Sequence, residues 1–464
     1  MHNNIKDDLI LFNEIVNEFL NDEKLNPISK KINIEDLHKT LDLSLSENPI
    51  TKKEFSESLR KLILSSPKSS SKLFFNQLFG GRHSKAVIGD LLAVLLNNSM
   101  ATYKISGPQV GVEKEILFQV KNLIGYKENY GGTFPTGGSM SNFMSLIIAR
   151  DKKNLETRNT GVKQDFIIYA SDNAHYSIAK NASFSGIGKG NVRYIKSDSF
   201  GCLDLIILEK TIKSDLKKGY IPFYINATAG TTVLGAFDNI KEISKISKKY
   251  NLWLHVDGAW GGAVLFSKLY KRLINGVENS DSFCFNAHKS LGAPLSTSIF
   301  LVADKKDLHN SFSNDASYLY QTHNEDYNLG QTSFECGRRN NSLKLWTMWK
   351  AIGTSGISKI IDHQFALADY ARNYVRASKD YKLYSFDDSL SICFNYKNFD
   401  PQDLCTKLYD LNKLMIGFGF FGKQSFIRLV IINSSNSEKE ISNFFKIIEA
   451  FTLENHNSIK SIDI

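Results

Sequence analysis

The stretch ending at Lys289 carries residue types that suggest chemistry more than packing. From Trp253 the chain reads WLHVDGAWGGAVLF, and from Ser282 it reads SFCFNAHKSLGAP. Each half starts as a short apolar, aromatic-rich run and breaks off in small and polar residues, the pattern of a buried strand running into a loop. His255 and Asp257 are two apart, so on a strand they share a face. Asn286, His288 and Lys289 follow the second run, and ligands bind at the carboxyl edge of an open α/β sheet.

A lysine in an apolar pocket has its charged form disfavoured, which makes Lys289 a candidate Schiff-base former. Taken alone, such a lysine is more often an ordinary loop residue. Asp257, if buried, needs a cationic partner; a protonated pyridine nitrogen would serve and would keep its ring an electron sink. The plainer reading of Asp257 is a loop cap. In TFPTGGSMSNFMSLIIAR (133–150), two glycines and then Ser139, Ser141 and Asn142 open an apolar helix. Backbone N–H groups and hydroxyls there make an anion site that suits a phosphate, although a simple N-cap also fits. GIGKG (186–190) precedes a strand instead of opening a helix and reads as a turn.

His175, in SDNAHYSIAKNA, follows a strand and can stack on an aromatic ligand or be an ordinary core or loop histidine. Thr228, Thr231 and Thr232 sit at another strand end, where hydroxyls reach a ligand or satisfy turn backbone. His255, Asp257 and His288 also spell the ligand set of a non-haem iron triad. That site needs neither the lysine nor the helix-opening turn, and the parallel β/α pattern argues against its usual scaffold.

The elements that must position these groups alternate. Apolar runs at 166–170, 192–195, 221–225, 252–256, 282–286 and 298–302 are separated by helical or Gly-rich segments, which predicts a largely parallel sheet with covered faces. The last two runs are close enough to be antiparallel neighbours. Helices are expected near 5–20 and 53–64, then at 343–353 and 357–376. Beyond these come strands at 389–395 and 425–432 and helices near 402–413 and 438–451. The expected organisation is an N-terminal helical segment (1–72) that needs a covering surface, a large α/β domain (73–355) and a small C-terminal α+β domain (356–464).

With 464 residues and 42% hydrophobic content, the chain can bury more than one core, which excludes a disordered protein. The net charge of +9 comes from scattered lysines instead of a basic block, so no nucleic-acid partner is expected. Five cysteines without CxxC spacing suit a reducing cytoplasm. No signal peptide and no membrane span are expected.

Taken in order, FFNQLFGG (74–81), TYKISGP (102–108), GGSMSN (137–142), NAHYSI (173–178), NATAGTTVLGAFD (226–238), NLWLHVDGAWGG (251–262), NAHK (286–289), CGRRNNSLKLWTMWKA (336–351) and FIRLVI (426–431) resemble the group II pyridoxal-phosphate decarboxylases. The likeness is to the glutamate and cysteine-sulfinate branch. It implies the aspartate aminotransferase-like fold of PLP-dependent transferases (fold type I), α/β with a mainly parallel sheet in the large domain. It also implies pyridoxal 5'-phosphate bound covalently by Lys289, with Asp257 on its pyridine nitrogen. His175 would stack on one ring face and Ala259 on the other; Met140, Ser141 and Asn286 would hold the phosphate, and Thr232 and His288 would line the site. Tyr327 matches a mobile-loop tyrosine that would protonate Cα, and Arg428 an arginine for the substrate α-carboxylate. A homodimer is implied.

Departures from the family pattern are Ala287 in place of a proline and Asn341 in place of an aspartate. Ser99 and Ala101 replace larger residues on the substrate side, whereas Gln77 is retained and can donate to a side-chain acid group. The expected activity is α-decarboxylation of a small acidic L-amino acid, namely glutamate, cysteine sulfinate or aspartate. The alternatives are a 2,4-diaminobutyrate or aromatic decarboxylase, and a non-catalytic cofactor-binding homologue.

Overall fold

The computed structural model describes residues 5–26, 28, 31–314, 316, 318–321 and 325–461. The chain divides into two compact units, one formed by Met1–Gly81, Tyr370–Tyr384 and Cys393–Ile464, the other by Arg82–Asp369 and Ser385–Ile392. The N-terminal helices therefore share a unit with most of the C-terminal segment.

The larger unit is built on strands β1 (Gly131–Thr133), β2 (Phe166–Ser171), β3 (Val192–Ile195), β4 (Ile221–Thr228), β5 (Trp253–Gly258), β6 (Ser282–Asn286) and β7 (Ser298–Val302). Their order in the sheet is β1-β7-β6-β5-β4-β2-β3. From β3 to β6 the neighbours are parallel, while β7 pairs antiparallel with β6 and β1 pairs antiparallel with β7. The six apolar runs of the sequence are thus six of the seven strands. β2, β6 and β7 are buried along their whole length, which is why they read as unbroken apolar runs without alternation. Phe166, Ile168, Phe223, Tyr224 and Phe300 fill a core against the helix Gly138–Lys153.

Register sets the site. Thr228 of β4 pairs with Asp257 of β5, which pairs with Cys284 of β6, so the carboxyl ends of three parallel strands come level. Gly258 permits this close approach, because a Cβ there would lie 2.7 Å from the Cys284 carbonyl oxygen. Helix Ile240–Tyr250 aims β5: Asn239 caps it by accepting the Glu242 N–H at 3.2 Å, and Ile240, Ile243 and Ile246 are buried.

The Cys336-Gly337-Arg338 segment is anchored by an ion pair inside this unit. Arg338 Nη1 and Nη2 each lie 2.8 Å from a Glu113 oxygen, and both side chains are almost fully buried. Removing one partner strands a buried charge. Arg338→Leu is expected to cost about 3–5 kcal/mol, read as a fall in unfolding free energy by denaturant titration. The double change with Glu113→Leu should recover much of that loss.

The smaller unit carries antiparallel β10 (Gly417–Phe421) and β11 (Gln424–Val430), with β8 (Tyr381–Leu383) beyond β9 (Ser391–Tyr396) in the same sheet. Helix Pro401–Asp410 has its proline in the first turn and Asp400 as its cap. Glu438–Glu454 starts with a Ser437/Glu440 capping box. Near the N-terminus, Arg60 ties Lys52–Ser65 to Ile5–Leu25 through Glu14 and Glu18. The helices expected at 343–353 and 357–376 are halves of Ser342–Arg376, broken at Gly353, whose φ of 67° is not helical. Among the described residues, no helix is long and apolar enough to cross a membrane.

Candidate active site

A cavity of about 190 Å³ opens at the carboxyl edge of β4, β5 and β6. Lys289, Asp257, His175, Ala259, Thr232, Asn286 and His288 line it, together with Gly138, Ser139, Asn142, Thr228, Gly230 and Trp260. Ten of the residues singled out from the sequence therefore converge on one chamber from five separate segments.

Asp257 is buried at the end of β5. Its Oδ2 accepts from Asn142 Nδ2 at 2.7 Å and its Oδ1 from the Ala259 backbone N–H at 3.0 Å. Among the described residues no cation forms an ion pair with it, so the chamber holds a carboxylate ready for a cationic ligand. Burial lowers the Lys289 ammonium below the ordinary lysine range, and the charge of Asp257 opposes that shift. A lysine biased toward its neutral amine is a nucleophile for a carbonyl.

Burial disfavours the charged form of both flanking histidines. Burial pushes His288 down to about 4, with Lys289 adding to the effect, and its Nδ1 accepts the Thr297 N–H at 2.9 Å. Burial lowers His175 as well, against the pull of Asp257. His255 is not a chamber residue: it is fully buried, with Nε2 on Asn142 and Nδ1 on Ser282.

The helix Gly138–Lys153 opens on this chamber, with Gly137 extended before it. A Cβ on Gly138 would come within 2.8 Å of the Ala259 methyl and 3.2 Å of Asn286 Nδ2. Only glycine lets the backbone N–H groups of this turn approach so closely, which is the cradle an anionic phosphate needs. The two residues expected to hold the phosphate from this helix do not line the chamber. Ser141 turns to the Gly137 carbonyl at 3.3 Å and Met140 packs on the sheet core, while Ser139 and Asn142, three apart on one helix face, point to the chamber.

In the smaller unit, Arg428 Nη2 donates to the Asn76 carbonyl at 2.9 Å, which brings it next to Gln77. Gln77 itself lines a cavity with Phe74 and Met415. In the larger unit, Ser99 forms a bridge with Arg339, and the buried Ala101 accepts the Gly330 N–H. Tyr327 is half-buried, its ring edge-on to Tyr103 at 5.7 Å and 4.8 Å below Lys114 Nζ. Trp260 and Gly230 line the chamber without having been singled out; the WGG at 260–262 was the available signal for Trp260.

A buried lysine whose ammonium form is disfavoured, a buried carboxylate, a glycine-opened helix start and a flanking imidazole, all on one edge of a mainly parallel sheet, suit a pyridoxal-phosphate enzyme. The pyridoxal-dependent decarboxylase conserved domain matches residues 35–397. The chain is 33% identical to human cysteine sulfinic acid decarboxylase over 453 residues, covering 92% of this chain and 91% of that one. It is 34% identical to the acidic amino acid decarboxylase of Bos taurus, covering 88% and 82%. The crystal structure of mouse CSAD superposes with a TM-score of 0.90 at 30% identity, over 96% of this chain and 98% of that one. This chain belongs to the pyridoxal-dependent decarboxylase family. It is a carboxy-lyase whose cofactor is pyridoxal phosphate.

Proposed function

We propose that the protein decarboxylates a small acidic L-amino acid, namely glutamate, cysteine sulfinate or aspartate, to the amine and carbon dioxide. The observation that carries this reading is the near full-length similarity to cysteine sulfinic acid and acidic amino acid decarboxylases at 33–34% identity. Solved tryptophan and 2,4-diaminobutyrate decarboxylases share the fold at 20–21% identity, which does not favour their substrates.

When bound, pyridoxal phosphate supplies an electron sink for the pair left on Cα as carbon dioxide departs. Lys289 would hold its aldehyde carbon, Asp257 would keep its ring nitrogen protonated, and the N–H groups of the Gly137–Gly138 turn, with Ser139 and Asn286, would hold the phosphate. His175 and Ala259 would confine the ring faces, with Thr232 and His288 beside them. We assign Arg428 to the substrate α-carboxylate, Gln77 to its side-chain acid, and Tyr327 to proton return at Cα. Ser99 and Ala101 would shape the substrate side.

A homodimer in the cytoplasm completes the proposal. Helix Ser84–Leu96 leaves Ile88, Leu92 and Leu95 about half exposed, an apolar face suited to burial against a second copy. The N-terminal segment 1–72 would add to the same assembly.

The test is release of carbon dioxide and amine by the cofactor-loaded protein. Acidic substrates should exceed 2,4-diaminobutyrate and an aromatic amino acid in kcat/KM by about 10²-fold or more, the range expected when a site's polar groups lose their partners. Equal or greater turnover of a basic or aromatic substrate would overturn the acidic reading.

A further inference from the structure

We propose that His255, which does not reach the chamber, is a positioning residue for it. Through Asn142, it fixes the Asp257 carboxylate and commits His175 to the neutral tautomer protonated on Nε2. The inference rests on the assignment of this chamber as the cofactor site.

The argument runs outward from the one group whose role is fixed by its charge. An ionised Asp257 only accepts hydrogen bonds, so the Asn142 atom 2.7 Å from Oδ2 is the amide nitrogen. The Asn142 carbonyl oxygen must then face His255 Nε2 at 2.9 Å, and that nitrogen must carry the proton. His255 Nδ1 is left as an acceptor, 2.9 Å from Ser282 Oγ. Ser282 is free to donate there, because the donor-only indole N–H of Trp253 points at its oxygen at 2.9 Å and Ser145 Oγ lies 2.8 Å away to supply a second proton. Ser145 accepts in turn from Trp253 and from the Tyr224 hydroxyl. Every bond in the chain points toward Asp257.

A second branch leaves Asn142. Its amide also donates to Ser177 Oγ at 3.1 Å, so the Ser177 proton goes to His175 Nδ1 at 2.8 Å. The Ser177 backbone N–H points at the same nitrogen at 3.3 Å. With two donors on Nδ1, a neutral His175 carries its proton on Nε2, and it presents a single N–H from the remaining edge of its ring. Asn142, Ser145, Ser177, His255 and Ser282 are each no more than 1% exposed, so no water substitutes for a lost partner. Burial also pushes His255 down to about 4, which favours its neutral ring. Reversing the Asn142 amide would set a carbonyl against a carboxylate and orphan the His255 N–H.

Two measurements on the full chain test this. In cofactor-free protein labelled with ¹⁵N-histidine, His175, assigned by its loss in His175→Gln, should show Nδ1 unprotonated and Nε2 protonated. A protonated Nδ1 in the unaltered protein overturns the proposal whatever the variants do. This tautomer is read without cofactor or substrate, so its failure is distinguishable from failure of the decarboxylase reading.

The second measurement is the pyridoxal-phosphate dissociation constant by equilibrium dialysis. Asn142→Asp is nearly isosteric and still accepts from His255, but it places a second carboxylate against Asp257. It should weaken cofactor binding about tenfold or more relative to Asn142→Ala. His255→Leu should weaken it too and mix the His175 tautomers, with partial recovery in His255→Gln, whose amide can donate to Asn142. Equal affinities for Asn142→Asp and Asn142→Ala, or an unchanged tautomer in a folded His255→Leu, would reduce His255 to a packing residue.

Discussion

Lys289→Ala is expected to eliminate both turnover and the visible absorbance of covalently held cofactor. Among the described residues Lys289 is the only lysine lining the chamber, and burial disfavours its ammonium form while Asp257 restrains the shift. Its amine would hold the aldehyde carbon of the cofactor and so place the ring before substrate arrives. Alanine removes the nucleophile and leaves the cradle and the carboxylate in place. We expect kcat/KM to fall by at least about 10³-fold, a barrier increase of about 4 kcal/mol, while the far-ultraviolet dichroism of the fold persists. A variant with normal activity would remove Lys289 from the reaction.

Asp257→Ala should have the next largest effect. The carboxylate is buried, is held by Asn142 and the Ala259 N–H, and has no cationic side chain in an ion pair among the described residues. A protonated ring nitrogen would be its partner, and losing one member of such a buried pair costs about 3–5 kcal/mol. That corresponds to about 10²- to 10⁴-fold in kcat/KM, accompanied by weaker cofactor binding. Asp257→Glu should fall between the two, because it keeps the charge but shifts its position. Steady-state kinetics and cofactor titration on the same preparations separate the two losses.

Much of this site was legible in the sequence because parallel strands print their positions plainly. FIIYA, LWLHV and SFCFN are buried on both faces, so they stand out as unbroken apolar runs; Asp257, just after the second, and Asn286, at the end of the third, reach the chamber. β1 was missed because a Gly-Gly-Thr triplet carries no strand signal, and β10 because its GFGFF reads as loop. Helix Ser84–Leu96 is apolar around most of its circumference, which leaves little period to read.

Contacts across long separations left no trace in the sequence. Asn142 reaches Asp257 across 115 residues and Ser177 across 35. Only the fold shows that a residue read as part of an anion loop is the junction between a carboxylate and two histidines. Helix phase explains the other difference. Among the residues opening Gly138–Lys153, Ser139 and Asn142 share the chamber face, and Met140 and Ser141 face the interior.

The most direct test of the account is chemical trapping. The protein is loaded with pyridoxal phosphate, reduced with borohydride and digested, and the peptides are read by mass spectrometry. The account predicts one phosphopyridoxyl group, on Lys289, and none in Lys289→Ala treated the same way. A stoichiometric adduct on any other lysine, with Lys289 unmodified, would contradict it.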